Sequence, residues 1–445
     1  MLKLPNLEKS AQLLVEVSHD RLVSKLVYTD YTIGRHYVLS DSTSPLPLSL
    51  DSKFIRTYLD SLSKMWDWQL FRPHSDEVMP LANEGFGLDG LNFYIDGRYY
   101  NKKDMLETIR GVSKDISILS IDNNYIQDLL IGIANKLGYE DVLLLDVDLE
   151  NTYIYRLRRD IVTRKLNETH SGGYSFKHGK VELGNDWRVI DVVDSPRVKA
   201  FLQYETPSAR LGNMWANYIL GEKKFSSSPV LRDLVRSVST LQTLTIRNDH
   251  KGDFDGVGDM KYSTLLLVTG DVISQLEFSE LLLSVIDGLE LNDSVDMVVD
   301  STLSLYTLGK IYAEGIAKAG FLAEFADFAS RYDHLLLPDV AKSGERKRVI
   351  FSADIRDDRG GEKSVYALSD EISQIVLSTD FEAAEITGKF IKDSSLYSEF
   401  DYNLILGKKK YKSIIIDSRY RPIVYGPDAK SNHIKMREWF NVSII

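Results

Sequence analysis

Leu144-Leu145-Asp146-Val147-Asp148 decides the fold once it is laid over Leu14-Val15-Glu16-Val17-Ser18, 130 residues earlier. Each stretch is a short apolar run with a carboxylate at its third place, and each opens a series of strand-like segments. The first series reads Gln12 to Ser18, Arg21 to Thr29 and Arg35 to Ser40, rich in Val, Leu and Tyr and broken by short polar turns. The second reads Val142 to Asp146, Thr152 to Arg158 and Ile161 to Thr169. Two similar meanders in one chain point to an internal duplication.

Working outward, Ile126, Leu129, Leu130, Ile133 and Leu137 fall on one helical face, and Gly138 follows where a helix cap belongs. Thr264 to Thr269 reads as a strand, Gly270-Asp271 as a turn, and Phe278, Leu281, Leu282, Val285, Ile286 and Leu289 as a helix that packs on a sheet. A strand at Val295 to Val299 and a helix from Leu303 to Ala319, with Gly309 inside it, complete an α/β layer. Between the first meander and the first helix lie Ser44-Pro-Leu-Pro47, an aromatic helix candidate from Phe54 to Phe71 and Asn83-Glu-Gly-Phe-Gly, read as an inserted subdomain. Beyond Pro338 short strands alternate with charged, Gly-rich turns. The expected divisions are 1–138 for a first lobe, 139–335 for a second, and 336–445 for a small β-rich domain.

Composition narrows the functions. The 445 residues suffice for two or three cores. With 65 acidic against 54 basic residues the net charge is -11, which disfavours coating a phosphate backbone, so no nucleic acid is expected. Cysteine is absent, which removes disulfides, thiolate zinc, iron-sulfur clusters and cysteine nucleophiles; any metal would use oxygen or imidazole ligands. No apolar run approaches a membrane span, and Met1 precedes no apolar leader, so a cytoplasmic location is the default expectation. Gly-x-x-x-x-Gly-Lys-Ser/Thr, Gly-x-Ser-x-Gly and His-Glu-x-x-His motifs are missing. The acidic loop Asp249 to Asp259 lacks both terminal ligands of a calcium loop, and Lys408-Lys409-Lys410 with Lys412 reads as a solvated turn.

Two meanders, each with a strand-end carboxylate, followed by strand-Gly-helix, suit a nucleotide held between two lobes: turn N–H groups wrap phosphates and a carboxylate reaches magnesium-bound water. On these residues the chain resembles the actin-like superfamily of sugar kinases and heat-shock ATPases, and within it the glutamate mutase L accessory family. Leu145 to Thr152 resembles the second phosphate motif, Leu267-Val268-Thr269-Gly270-Asp271 the adenosine motif, Asp300 to Gly309 the closing helix, and Ile415 to Pro422 the tail of some members. The resemblance implies a duplicated, ribonuclease H-like two-lobe α/β core with a small C-terminal β domain. It implies ATP and Mg2+ as cofactors and a protein partner, and self-association is compatible with it. The nucleotide residues it implies are Glu16, Ser18, Asp20, Asp146, Asp148, Asn151, Thr152, Thr269, Gly270, Asp271 and Gly309, with Asp146 toward the metal.

The motifs depart from the family pattern. Ser18 and Asp148 stand where each phosphate turn has Gly, Glu16 replaces an Asp, and Gly270-Asp271 replaces a Gly pair. A carboxylate at Asp148 about 4 Å from a phosphate would cost on the order of 1 to 4 kcal/mol, or roughly 5- to 1000-fold in affinity. Efficient hydrolysis is therefore not expected, and no catalytic residue can be nominated. Three readings stay open: a nucleotide-binding accessory protein; a scaffold that keeps the actin-like fold with the nucleotide site lost or weakened, of the division or pilus type; and, ranked last because no catalytic base can be nominated, a sugar or acid kinase of the same superfamily. Glu16 and Asp146 also read as carboxylates capping their turns, and Thr152 as a good strand residue.

Overall fold

The computed structural model describes residues 9–18, 21–30, 35–45, 53–59, 61–62, 91–98, 117–148, 151–159, 174–182, 194–204, 206–220, 228–254, 263–291, 293–314, 329–338, 349–357, 362–377, 384–390, 401–405, 411–419, 429–440 and 443–444. They form two compact units, Met1–Lys136 with Leu303–Phe328, and Leu137–Thr302 with Ala329–Ile445.

In the first unit, β1 (Lys9–Val17), β2 (Arg21–Asp30) and β3 (Arg35–Pro45) form the antiparallel meander, and β4 (Leu91–Asp96) and β5 (Ser117–Ile121) extend it in parallel. The sheet order is β3-β2-β1-β4-β5. Alternation along β1 sends Leu13, Val15 and Val17 to one face, where they bury with Phe93, Ile95 and, from the helical residues 53–59 and 61–62, Ile55, Leu59 and Leu62. Each such side chain contributes about 1.5–3 kcal/mol by leaving water. Glu16 and Leu14 point to the other face. Helix α1 (Asn123–Leu137) starts where Asp122 accepts the Tyr125 N–H at 3.0 Å and ends at Gly138, whose φ is 79°. The helix expected over Leu303 to Ala319 is a π-helical turn, Leu305–Gly309, that runs into a short α-helix, Lys310–Glu314; the remainder lies outside the described residues.

The second unit repeats the arrangement. β6 (Asp141–Val147), β7 (Asn151–Arg159) and β8 (Tyr174–Glu182) form a meander, and β9 (Thr264–Thr269) and β10 (Asp293–Val299) add in parallel, giving β8-β7-β6-β9-β10. The same order in both sheets makes the chain a duplicated ribonuclease H-like α/β fold of the actin-like class. The third strand of the second meander begins at Tyr174, later than the sequence suggests; Ile161 to Thr169 lies outside the described residues. Helices α2 (Pro196–Phe201), α3 (Ser208–Leu220), α4 (Pro229–Asp249), α5 (Lys251–Phe254), α6 (Asp271–Gln275) and α7 (Phe278–Leu289) follow the chain. Leu143, Leu145, Val147, Leu266, Val268, Val295 and Met297 bury against Leu234, Val238 and Leu241 of α4 and Leu282, Val285 and Ile286 of α7.

The segment after Pro338 divides between two sheets. β11 (Arg331–Leu337), β14 (Ile372–Val376), β17 (Ser413–Asp417) and β18 (Ser443–Ile444) continue the second sheet as β18-β14-β17-β11-β10, while β12 (Val349–Asp357), β13 (Glu362–Leu368), β15 (Ala384–Phe390) and β16 (Asp401–Ile405) form a four-stranded antiparallel sheet. The tail motif is structural: Arg419 is wholly buried, paired with Asp287 of α7 at 2.7 Å and Asp417 at 2.8 Å, and lies over Trp439 of α8 (Ala429–Phe440). Burial alone would lower the Arg419 pKa, but the two carboxylates hold it well above its ordinary value.

Candidate functional site

Of the residues singled out in the sequence, Asp146, Asp148, Thr269 and Gly270 fall at or just beyond the carboxyl ends of β6 and β9, where ligands bind in open α/β sheets. In the second unit β6 is buried along its whole length, and alternation places Asp146 on the face opposite Leu145 and Val147. Asp146 stands in register with Thr269 on β9 and Tyr153 on β7. The tight turn that follows is closed by the Asp148 N–H donating to Asn151 O at 3.0 Å.

The Asp148 side chain determines what this turn can do. Its Oδ1 accepts the Asp271 N–H, the first of α6, at 3.0 Å. The chain reaches that point through Gly270, whose φ is 110°. A Cβ there would stand 2.5–2.7 Å from the backbone of Val147, so only glycine lets the two segments approach this closely. Beside it, Thr269 Oγ1 donates to Asp300 Oδ2 at 3.0 Å, Thr302 Oγ1 to Asp300 Oδ1 at 3.2 Å, and the Asp300 N–H to Val268 O at 2.8 Å. Asp146, Asp148, Thr269, Gly270, Asp271 and Asp300 thus lie around one set of strand ends. Sequence reasoning passed over the Asp300 carboxylate, although an acidic residue directly after the strand Val295 to Val299 was a readable signal.

Other expected residues lie elsewhere. Thr152 is fully buried and its Oγ1 donates to Gln242 Oε1 on α4 at 3.1 Å, because alternation along β7 turns it toward the helix layer. Asn151 is buried at the start of the same strand. Gly309 belongs to the first unit, where a Cβ would meet Leu305 at 3.0 Å and Leu129 of α1 at 3.6 Å; its smallness serves helix packing. In the first unit the Ser18 N–H donates to Arg21 O at 3.0 Å, and Glu16 is buried two residues before it. Asp20, like Lys408 to Lys410 and Asp255 to Asp259, lies outside the described residues.

Two backbone donors beside the second turn are thus bonded within the protein: Asp148 N–H to Asn151 O, and Asp271 N–H to Asp148 Oδ1. A phosphate taking the Asp271 N–H would have to displace the Asp148 carboxylate. Among the described residues no three His, Asp or Glu side chains come together as a metal-holding group. No helix among them is long and apolar enough to cross a membrane.

No known protein family matches the chain. No curated protein sequence does so either. Solved structures with some likeness include an Aquifex aeolicus member of the Ppx/GppA family, with 11% identity over 60% of this chain and 68% of that one and a TM-score of 0.28. An exopolyphosphatase from Cytophaga hutchinsonii shows 11% identity over 58% and 66%, TM-score 0.29. The PilM-PilN type IV pilus biogenesis complex shows 13% identity over 69% and 97%, TM-score 0.32. The fold assignment stands on the chain's own repeated sheet order.

Proposed function

We propose that the chain is an actin-like accessory protein that works on a protein partner, as the resemblance to the glutamate mutase L family implies, and that it binds ATP weakly, with Mg2+, with weak or absent hydrolysis. The observation that carries this reading is the Asp148 to Asp271 hydrogen bond in an otherwise intact duplicate of two matched turns. The frame for a nucleotide is kept, while the position that a phosphate would use holds a carboxylate. In this reading Asp146 is the residue nearest the metal, and Asp148 sets the affinity. A second reading, a scaffold that binds no nucleotide, is supported by the Asp148 and Asp271 N–H groups, which already have partners within the protein.

Calorimetric titration with ATP and ADP, with and without Mg2+, separates the two. The first reading expects weak magnesium-dependent heat from the wild type, its loss in Asp146→Ala, and affinity roughly 5- to 1000-fold tighter in Asp148→Gly, the reverse of the electrostatic penalty. Folded protein that gives no heat with millimolar nucleotide, in the wild type and in Asp148→Gly alike, leaves the scaffold reading.

A further inference from the structure

Away from that turn, the second unit carries a cluster of hydroxyl, imidazole and carboxylate groups on β10 and its neighbours. Ser294 and Asp296 are two residues apart on β10 and so share one face of the sheet. His334 on β11 stands opposite Asp296 in the antiparallel register, and therefore diagonal to Ser294. His334 Nδ1 lies 2.6 Å from Asp296 Oδ1, and His334 Nε2 lies 3.3 Å from Ser294 Oγ. With Nδ1–H donating to the carboxylate, Nε2 is the acceptor for the serine hydroxyl, the tautomer that a general base requires.

The carboxylate behind the histidine is fixed by further donors. Tyr411 and Tyr332 donate to Asp296 Oδ2 at 2.9 and 3.3 Å, and Tyr139 donates to the same oxygen. Burial raises the pKa of all three phenols, with the Asp296 charge adding to it, so they stay protonated donors. Asp296, His334 and the three tyrosines are buried, while Ser294 is partly exposed. The hydroxyl thus stands at the open end of the row and the charged group at its closed end.

We propose that Ser294, His334 and Asp296 form a nucleophile, base and orienting carboxylate that take an acyl group from a carboxylic ester. Such a row is identified by geometry and roles, whatever fold carries it, and its place on a strand explains why it matches no Gly-x-Ser-x-Gly pattern. In the first half-reaction Ser294 Oγ bonds to the ester carbonyl carbon while its proton passes to His334 Nε2. The carbon–oxygen bond to the alcohol then breaks, and the imidazolium returns the proton to the departing alkoxide. In the second half-reaction Nε2 removes a proton from water, the hydroxide attacks the acyl-serine, and the serine leaves with that proton. Activated esters depend least on an oxyanion hole, which makes them the substrates to test first.

The experiment uses the full chain. Hydrolysis of p-nitrophenyl acetate is measured for the wild type, Ser294→Ala and His334→Gln, and a fluorophosphonate probe is mapped by peptide mass spectrometry. The expected result is a phosphonyl adduct on Ser294 and a rate about 100-fold or more lower in each variant. Ser294→Ala, at the partly exposed end, leaves the buried network in place, and its unfolding midpoint confirms that folding is not the cause. Folded wild type that takes no label on Ser294, or that hydrolyses the ester no faster than Ser294→Ala, overturns the proposal and leaves the cluster as a structural tie among β10, β11 and Tyr411. Undiminished labelling in folded His334→Gln overturns it equally.

Discussion

The two meanders share a backbone and differ in chemistry. Val17 pairs with Leu22 and Val147 with Thr152, and the turns beyond are closed by the same N–H to O bond of 3.0 Å, all at a constant offset of 130 residues. Inside the second sheet, however, Arg156 and Asp141 form an ion pair at 2.6 Å, with 3% and 0% exposure. The matched positions of the first sheet hold Leu26 and Ala11. At the strand ends, β1 and β4 stay paired through Val17 and Ile95, whereas the ladder between β6 and β9 ends at Asp146 and Thr269, and Gly270, the counterpart of Ile95, turns with φ 110° hard against the Val147 backbone. Ladder hydrogen bonds and alternation thus hold the frame under either chemistry, and the two copies have diverged where a ligand would meet them.

The largest expected effect tests whether the ion pair is needed for the frame. Arg156→Met leaves Asp141 charged and buried and should cost about 3–5 kcal/mol in urea unfolding. Asp141→Ala with Arg156→Leu, which copies the first sheet, should return to within about 1 kcal/mol of the wild type, the remainder being the lost Arg156 bond to Asp253 O. A double variant as unstable as the single one would break the comparison, since the frame would then depend on its charges.

Next comes the end of that ladder. Gly270→Ala puts a side chain in a backbone region that only glycine adopts readily and drives its Cβ into Val147, so a loss of about 3 kcal/mol or more is expected. Ile95→Val, at the matched and regularly paired position, should cost only about 0.5–1.5 kcal/mol. Similar losses at both positions in thermal unfolding would mean that the second strand end is no more constrained than the first.

The parts legible in the sequence were those set by local periodicity: both meander openings, α1 with its Gly138 cap, β9, α7 and β10. β11 escaped notice because Arg331, Asp333 and His334 make it look polar, and their partners, Ser413 and Asp296, come from distant strands. β17 was legible as a strand, but nothing local placed it beside β11. At the site the sequence reading singled out Glu16, Asp146 and Asp148 near strand ends and left out Asp300. It did not show the bond from Asp271 N–H to Asp148, since the two residues are 123 positions apart and only the close approach at Gly270 joins them.

Thr152 gives the smallest expected effect and the finest test of that limit. In the sequence it follows the second turn at the spacing of a phosphate-contacting hydroxyl; in the structure it is 0% exposed and donates to Gln242 on α4. Its counterpart is Leu22, which buries in the apolar core of the first unit. Thr152→Val keeps the shape, removes one donor from Gln242 Oε1 and adds a methyl group to a buried place. The hydrogen-bond loss of about 1 kcal/mol is partly offset by the apolar gain, so a decrease of under about 1 kcal/mol is expected. Affinity for nucleotide, measured by the same titration used for Asp148→Gly, should be unchanged, because the hydroxyl points into the helix layer. Affinity that falls several-fold with stability unaltered would turn Thr152 toward the phosphates and restore the sequence reading of that turn, and with it the likeness to a working phosphate motif that Asp148 takes away.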